Sequence, residues 1–159
     1  MASNMFSTKG RYALRTMVDL AQHPGWVSLG DVAKRQGISR KYLEQVVALM
    51  AKADFVRSQR GKGGGYQLTR DPADYTLGAI LRAAEGSIAP VACLQDDGDA
   101  NACPRASQCP TLGMWRELGQ VTSDYLDSKT LKDLATCPES GDGGDATSEG
   151  PSESLRSLC

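Results

Sequence analysis

The chain has 159 residues, 40% of them hydrophobic and 23% charged, with a formal net charge of −1. That length fits one domain with appendages, and the longest apolar run, Val46–Ala51, is too short to span a bilayer. The amino-terminal stretch lacks the apolar core of a secretory leader, so the cytoplasm is the expected compartment and no membrane partner is expected. There the five cysteines are expected as reduced thiols or metal ligands rather than disulfides.

The near-neutral total conceals an asymmetry. Residues 1–90 carry 13 Lys/Arg against 7 Asp/Glu, residues 91–137 carry 4 against 7, and residues 138–159 carry 1 against 5. An anionic partner is therefore expected for the amino-terminal half alone. Residues 138–159 are rich in Gly, Ser, Asp, Glu and Pro. They hold too little apolar surface to offset chain entropy and read as a disordered acidic tail.

The first helix is predicted over Thr8–Gln22, buried through Tyr12, Leu14, Met17, Val18 and Ala21, and ended by His23-Pro24-Gly25. Ser28 caps a short helix, Leu29–Gln36, with Asp31 three residues on in a variant capping box. After the break Gly37-Ile38-Ser39, Ser39 caps a helix over Arg40–Ala53 whose Leu43, Val46, Val47 and Met50 share a face. Two helices joined by so short a break form a helix-turn-helix. Residues 55–59 alternate as a strand, the glycine-rich run 60–65 turns, and residues 66–69 return, which makes a wing. Thr76 caps a helix ending at Glu85 before Gly86. Residues 87–110 show no period, residues 111–127 are helical, and Thr130 caps a last helix over Leu131–Ala135. On the 111–127 helix, Met114, Leu118, Val121 and Tyr125 form one stripe, and Trp115, Thr122 and Leu126 form another. A surface that wide calls for two partners, the domain and a second subunit.

The fold class expected is mainly α with a small β-hairpin: a winged helix-turn-helix plus a long dimerisation helix. Residues 1–86 would form the DNA-binding domain, 87–110 a cysteine-bearing loop, 111–137 the dimerisation region and 138–159 the tail. Near the amino end of the second helix of the motif, Arg40, Lys41, Tyr42, Glu44 and Gln45 are free of the apolar face. A recognition helix reads bases from that end; Gln suits adenine, and Glu accepts from the cytosine amino group. A solvated amphipathic helix is the plain alternative. The wing decides, because Arg57, Arg60 and Lys62 crowd a hairpin that needs no such charge to fold, and arginine suits the narrow minor groove. The run GKGGG is not a nucleotide-binding loop, since it enters a strand rather than a helix.

Cys93, Cys103 and Cys109 are spaced C-x9-C-x5-C, and two of them precede proline. Thiolates are soft ligands for iron–sulfur clusters, zinc or copper. Neither gap matches the close pairs of structural zinc, so a cluster fits better, with three unrelated thiols as the alternative. Cys137 and Cys159 receive no role. No nucleophile–base pair or carboxylate pair is visible, and the single histidine, His23, adjoins a helix-ending proline, so an enzyme is not expected.

Together these strings resemble the winged-helix iron–sulfur regulators of the IscR/NsrR type. The resemblance rests on STKGRYALR at 7–15, GISRKYLEQV at 37–46, VRSQRGKGGGYQL at 56–68, MWREL at 114–118 and the three cysteines, and it covers residues 5–136. It implies a homodimer on a pseudo-palindromic duplex DNA operator. It implies that Ser39, Tyr42, Glu44, Gln45 and Arg60 contact DNA, with the Lys9 region on the phosphate backbone. It also implies that Cys93, Cys103 and Cys109 ligate a 2Fe–2S or 4Fe–4S cluster. Two departures leave the fourth ligand open: Leu112 stands where the resemblance implies histidine, and Arg11 where it implies aspartate. The alternative is a winged-helix regulator whose cysteines sense directly as thiols or bind zinc.

Overall fold

The structure, a computed structural model, describes residues 5–95 and 103–136. The acidic-tail reading and Cys137 and Cys159 lie outside the described residues. The elements follow in the order α1 (Thr8–Gln22), α2 (Leu29–Gln36), α3 (Arg40–Lys52), β1 (Val56–Gln59), β2 (Gly65–Leu68), α4 (Leu77–Glu85), α5 (Leu112–Ser128) and α6 (Leu131–Ala135), with short 3-10 turns between several of them. The mainly α, winged-helix class with a small β-hairpin and a long helix near the carboxyl end of the described residues is the one observed. No described helix is long and apolar enough to cross a membrane.

Helix starts are set by short hydroxyl side chains that accept otherwise unpaired backbone N–H groups. Ser28 accepts from Asp31, Ser39 from Tyr42, Thr76 from Ala79 and Thr130 from Asp133, as the sequence predicts. Ser7 does the same for Lys9 and Gly10 at the head of α1. The Ser28 box is altered: the Asp31 carboxylate accepts from the Ser28 hydroxyl at 2.7 Å. Among the described residues, Thr130 and Asp133 alone complete the reciprocal box.

The core is built around α1, which packs against α3, α4 and α6. Ala13, Met17 and Leu20 from α1 meet Val32, Leu43, Val46, Val47, Met50, Tyr75, Ile80, Ala84 and Leu131, all buried. Because partners surround α1 on several sides, its buried line is Ala13–Met17–Leu20; Tyr12, Leu14, Val18 and Ala21 are half-buried flanks of it. Leu43 is wholly inaccessible, so truncating it to alanine costs about 2–5 kcal/mol.

The wing has a third member that the sequence reading lacks. β1 and β2 pair antiparallel, Val56 opposite Leu68 and Arg57 opposite Gln67. Val27, between α1 and α2, bridges Tyr66 on the outer side of β2, with N–H···O distances of 2.9 and 2.8 Å in the two directions. This close approach requires glycine at 65, because a Cβ there would lie 2.2 Å from the Val27 carbonyl oxygen.

Helix α5 stands apart from the core. None of its residues is buried, and Met114, Leu118, Val121 and Tyr125 are 50%, 42%, 61% and 49% exposed. Trp115, Thr122 and Leu126 of the second stripe are half-buried.

Candidate nucleic-acid interface and cysteine segment

The angle between the first two helices is fixed by a buried carboxylate. Asp19 of α1 is 1% exposed and accepts from Arg35 Nε at 3.0 Å, Arg35 Nη2 at 2.6 Å and Gln36 Nε2 at 2.9 Å. Burial pushes its pKa up, but the hydrogen bonds from Arg35 and Gln36 and the nearby charge outweigh this, leaving the carboxyl below its ordinary value. Arg15 extends the clamp, donating to the side chain of Gln36 at 3.1 Å and to its carbonyl oxygen. Gly37 then turns the chain at φ +62°, buried Ile38 anchors the turn, and Ser39 starts α3.

With Leu43, Val46, Val47 and Met50 turned inward, α3 leaves Ser39, Arg40, Lys41, Glu44 and Gln45 exposed. Lys41 and Gln45 have no side-chain partner among the described residues. Arg40 Nε lies 3.3 Å from Glu44 Oε1, an i,i+4 pair that gives Glu44 a role within the helix as well. Tyr42 is half-buried and meets the Tyr12 ring edge-on at 5.3 Å. It therefore braces α3 on α1.

At the head of α1 the Glu85 carboxylate accepts from Ser7 N at 2.9 Å, Ser7 Oγ at 2.8 Å and Gly10 N at 3.1 Å. The helix terminus is thus already capped by an anion. Lys9, in the same turn, is half-buried, and Arg11 beside it is exposed.

Residues 55–70 carry four Lys/Arg and no Asp/Glu. Arg60 and Lys62 stand exposed in the wing turn, with no side-chain partner among the described residues. Arg57 is placed differently: it sits in β1, its guanidinium 5.4 Å above the Trp26 ring and bonded to Gln67 Oε1 at 3.0 Å. Arg70 covers the rings of Phe55 and Tyr75 at 5.5 and 5.3 Å.

Cys93, Cys103 and Cys109 are free, half-buried thiols in the irregular connection between α4 and α5. No group of three or more Cys, His, Asp or Glu side chains is gathered in metal-binding geometry among the described residues. Cys109 Sγ lies 3.4 Å from Thr111 Oγ1. Hydrogen bonds from Thr111, then from the Leu112 backbone, and the charge of Arg105 hold its thiol below the ordinary value against a small opposing desolvation. The same connection walls a cleft of about 500 Å³ against α4 and α5, lined among others by Pro90, Leu94, Arg116 and Gly119. Across it, Arg82 of α4 fixes α5 through Asp127, with contacts of 2.8 and 2.7 Å, and through the Ser123 hydroxyl.

The sequence reading did not pick out Asp19, Arg35, Glu85, Arg82, Asp127 or Trp26. A lone aspartate inside an otherwise apolar helix was the available signal for the first of these. The others depend on pairings between distant segments.

A helix-turn-helix with an acid-free, cation-bearing wing defines a winged-helix, DNA-binding transcriptional regulator. The sequence model of the Rrf2 family, described as an iron-dependent transcriptional regulator, matches residues 6–136, and the chain belongs to that family. It is 40% identical over 132 residues to the HTH-type transcriptional regulator IscR of Vibrio parahaemolyticus serotype O3:K6, spanning 82% of this chain and 76% of that one. Among solved structures it is similar to CymR, the global cysteine regulator of B. subtilis, with TM-score 0.67, 38% identity, and coverage of 86% and 98% of the two chains. T. potens IscR gives TM-score 0.64 and 39% identity, with coverage of 80% and 83%. These relatives are regulators, and the role is not enzymatic.

Proposed function

We propose that the protein is a cytoplasmic homodimer whose binding to a duplex operator is controlled by an iron–sulfur cluster on Cys93, Cys103 and Cys109. The observation that carries this reading is the position of the three thiols. They occupy the connection between the DNA-binding body and α5, the one described helix that exposes a continuous apolar stripe. Residues 1–86 then bind DNA, 87–110 hold the cluster, 111–137 form the dimer and 138–159 are the tail.

The donor set suits a 2Fe–2S or 4Fe–4S group: three soft ligands on irregular backbone that can adjust to it. When bound, such a cluster would supply a crosslink among the thiolates that iron shortage, oxidants or nitric oxide can break. The chain's own residues do the rest. Arg82 and Asp127 hold α5 to α4, and pairing of the α5 stripes sets the separation of two α3 helices. Half-sites about one helical turn apart would match that symmetry. Arg40, Lys41, Glu44 and Gln45 then face base edges, Ser39, Tyr42 and Lys9 lie at the flanking backbone, and Arg60 and Lys62 reach the minor groove.

A second reading keeps the DNA-binding body and makes the cysteines direct thiol sensors or zinc ligands. The lowered pKa of Cys109 favours it. Anaerobic purification with iron, zinc and acid-labile sulfide analysis separates the two. Brown protein containing iron and sulfide supports the cluster; colourless protein, still metal-free after anaerobic reconstitution, leaves the thiol reading.

A further inference from the structure

The outer face of the wing carries a device that the recognition-helix reading does not use. Val27 bridges Tyr66, and Arg57 lies opposite Gln67. In an antiparallel ladder this places Trp26, Gln67 and Arg57 in one row across three strands, on one face. The opposite face turns inward: Val27 and Val56 are buried and Tyr66 and Leu68 pack on the core. The row therefore looks away from the domain. Trp26 is 36% exposed, a large ring partly open to solvent on that face.

Arg57 reaches across Gln67 to lie over the indole, 5.4 Å from the ring centre, and donates one N–H to Gln67 at 3.0 Å. A stacked guanidinium is held by its flat face, so its remaining edge donors stay directed outward. Of the four cations at residues 55–70, Arg70 is spent on Phe55 and Tyr75, while Arg60 and Lys62 are unrestrained at the turn. Arg57 and Arg70 are both exposed and oriented, but Arg57 is the one in the outward row with Trp26 and Gln67. A fixed cation on an acid-free strand, set back from the turn, suits a backbone phosphate rather than a base edge.

We propose that Trp26 is a positioning residue for DNA binding: it orients Arg57, with Gln67, to engage a phosphate beside the groove entered by the wing turn. The inference rests on the wing reading given above. Ordering the guanidinium before the complex forms reduces the entropy lost on binding. Because the contact is to phosphate, its contribution is the same for operator and unrelated DNA.

The test measures binding of the full-length dimer to a fluorescein-labelled mixed-sequence duplex by anisotropy, between about 50 and 200 mM salt. Arg57→Ala is expected to weaken binding and to lower the slope of log affinity against log salt by about one. Trp26→Leu keeps an apolar side chain but removes the stacking surface, and should weaken binding about two- to fivefold. In the Arg57→Ala background Trp26→Leu should change nothing further, and Arg57→Lys should recover the salt slope but stay insensitive to Trp26→Leu. Unchanged circular dichroism and melting confirm that each variant is folded. Additive losses from the two substitutions overturn the proposal, because Trp26 then acts on its own. Loss with Arg60→Ala but not with Arg57→Ala overturns it while leaving the wing on DNA. Full binding by both variants overturns the proposal and the wing reading together.

Discussion

The guanidinium of Arg35, in α2, closes on the carboxylate of Asp19, in α1, through two hydrogen bonds of 3.0 and 2.6 Å. The carboxylate is buried and the guanidinium about one-third exposed, its side chain at 35%. This pair, joined by Gln36 and Arg15, ties the first helix of the core to the first helix of the DNA-binding motif. The orientation of α3 is therefore inherited from a charged contact as well as from apolar packing. The same contact raises the pKa of Arg35.

Arg35→Met should destabilise the protein by about 2–3 kcal/mol in urea denaturation at neutral pH, because Asp19 stays ionised with one partner lost. Asp19→Asn combined with Arg35→Met should recover part of that loss, since no charge is stranded. A double variant as unstable as Arg35→Met alone would show that packing, not charge, dominates the site.

The pH dependence follows from the lowered carboxyl of Asp19. A group whose folded pKa lies below its unfolded value stabilises the fold at pH above the unfolded value, and the gain fades as pH falls through it. The ordinary value is 3.8, so wild-type stability should decline below about pH 4. Asp127, held low first by hydrogen bonds from Arg82, adds to the same window with less weight because the pair is partly exposed. Urea midpoints measured from pH 7 downward should be flatter for Asp19→Asn than for wild type.

The α5 stripe predicts the oligomeric state. Val121, at 61% exposure, is the most open of its four members, and Val121→Glu would bury a carboxylate in an apolar contact. Sedimentation should show a monomer, and affinity for a two-half-site duplex should fall by about 100-fold or more as bivalency is lost. Arg116→Gln, exposed on the side of the helix away from the stripe, should remain dimeric. A dimeric Val121→Glu variant would place the interface elsewhere.

How much of this was legible in the sequence depended on range. Ser28, Ser39, Thr76 and Thr130 announced their helices because capping is a contact within three residues. The α5 stripe was equally plain, since exposure does not alter its period. The Val27 bridge was not, because a one-residue strand has no period of its own and its partner lies far along the chain. Arg57 was read as part of the wing tip for the same reason: without the register that aligns it with Trp26, nothing distinguished it from Arg60. Glu44 had been read as exposed for base recognition, yet Arg40 one turn earlier is its partner. The cysteine spacing named the donor atoms but carried no account of how irregular backbone brings them together.

At the wing turn, Arg60 and Lys62 are exposed cations with no side-chain partner among the described residues. Arg60→Ala should cost about 1–2 kcal/mol in binding and relax preference for narrow-groove A·T sequence beside the half-site. Lys62→Ala should lower the salt slope without altering sequence preference. Selection from a randomised duplex library reads both effects. Equal losses on every sequence for Arg60→Ala would assign that side chain to the phosphates instead.

The cysteine assignment is tested by substitution one position at a time. Cys103→Ser keeps size and removes the soft donor, so anaerobically reconstituted protein should lose its visible absorbance, iron and sulfide while the winged-helix body keeps its melting transition. Cys109→Ser should do the same and also remove the thiol held by Thr111. The direct-thiol reading separates them: Cys103→Ser would leave an acidic Cys109 that still reacts with an alkylating probe, and DNA binding would still answer to oxidant. Retention of a full cluster spectrum by either variant would remove that cysteine from the ligand set and turn attention to Cys93 and to donors outside the connection.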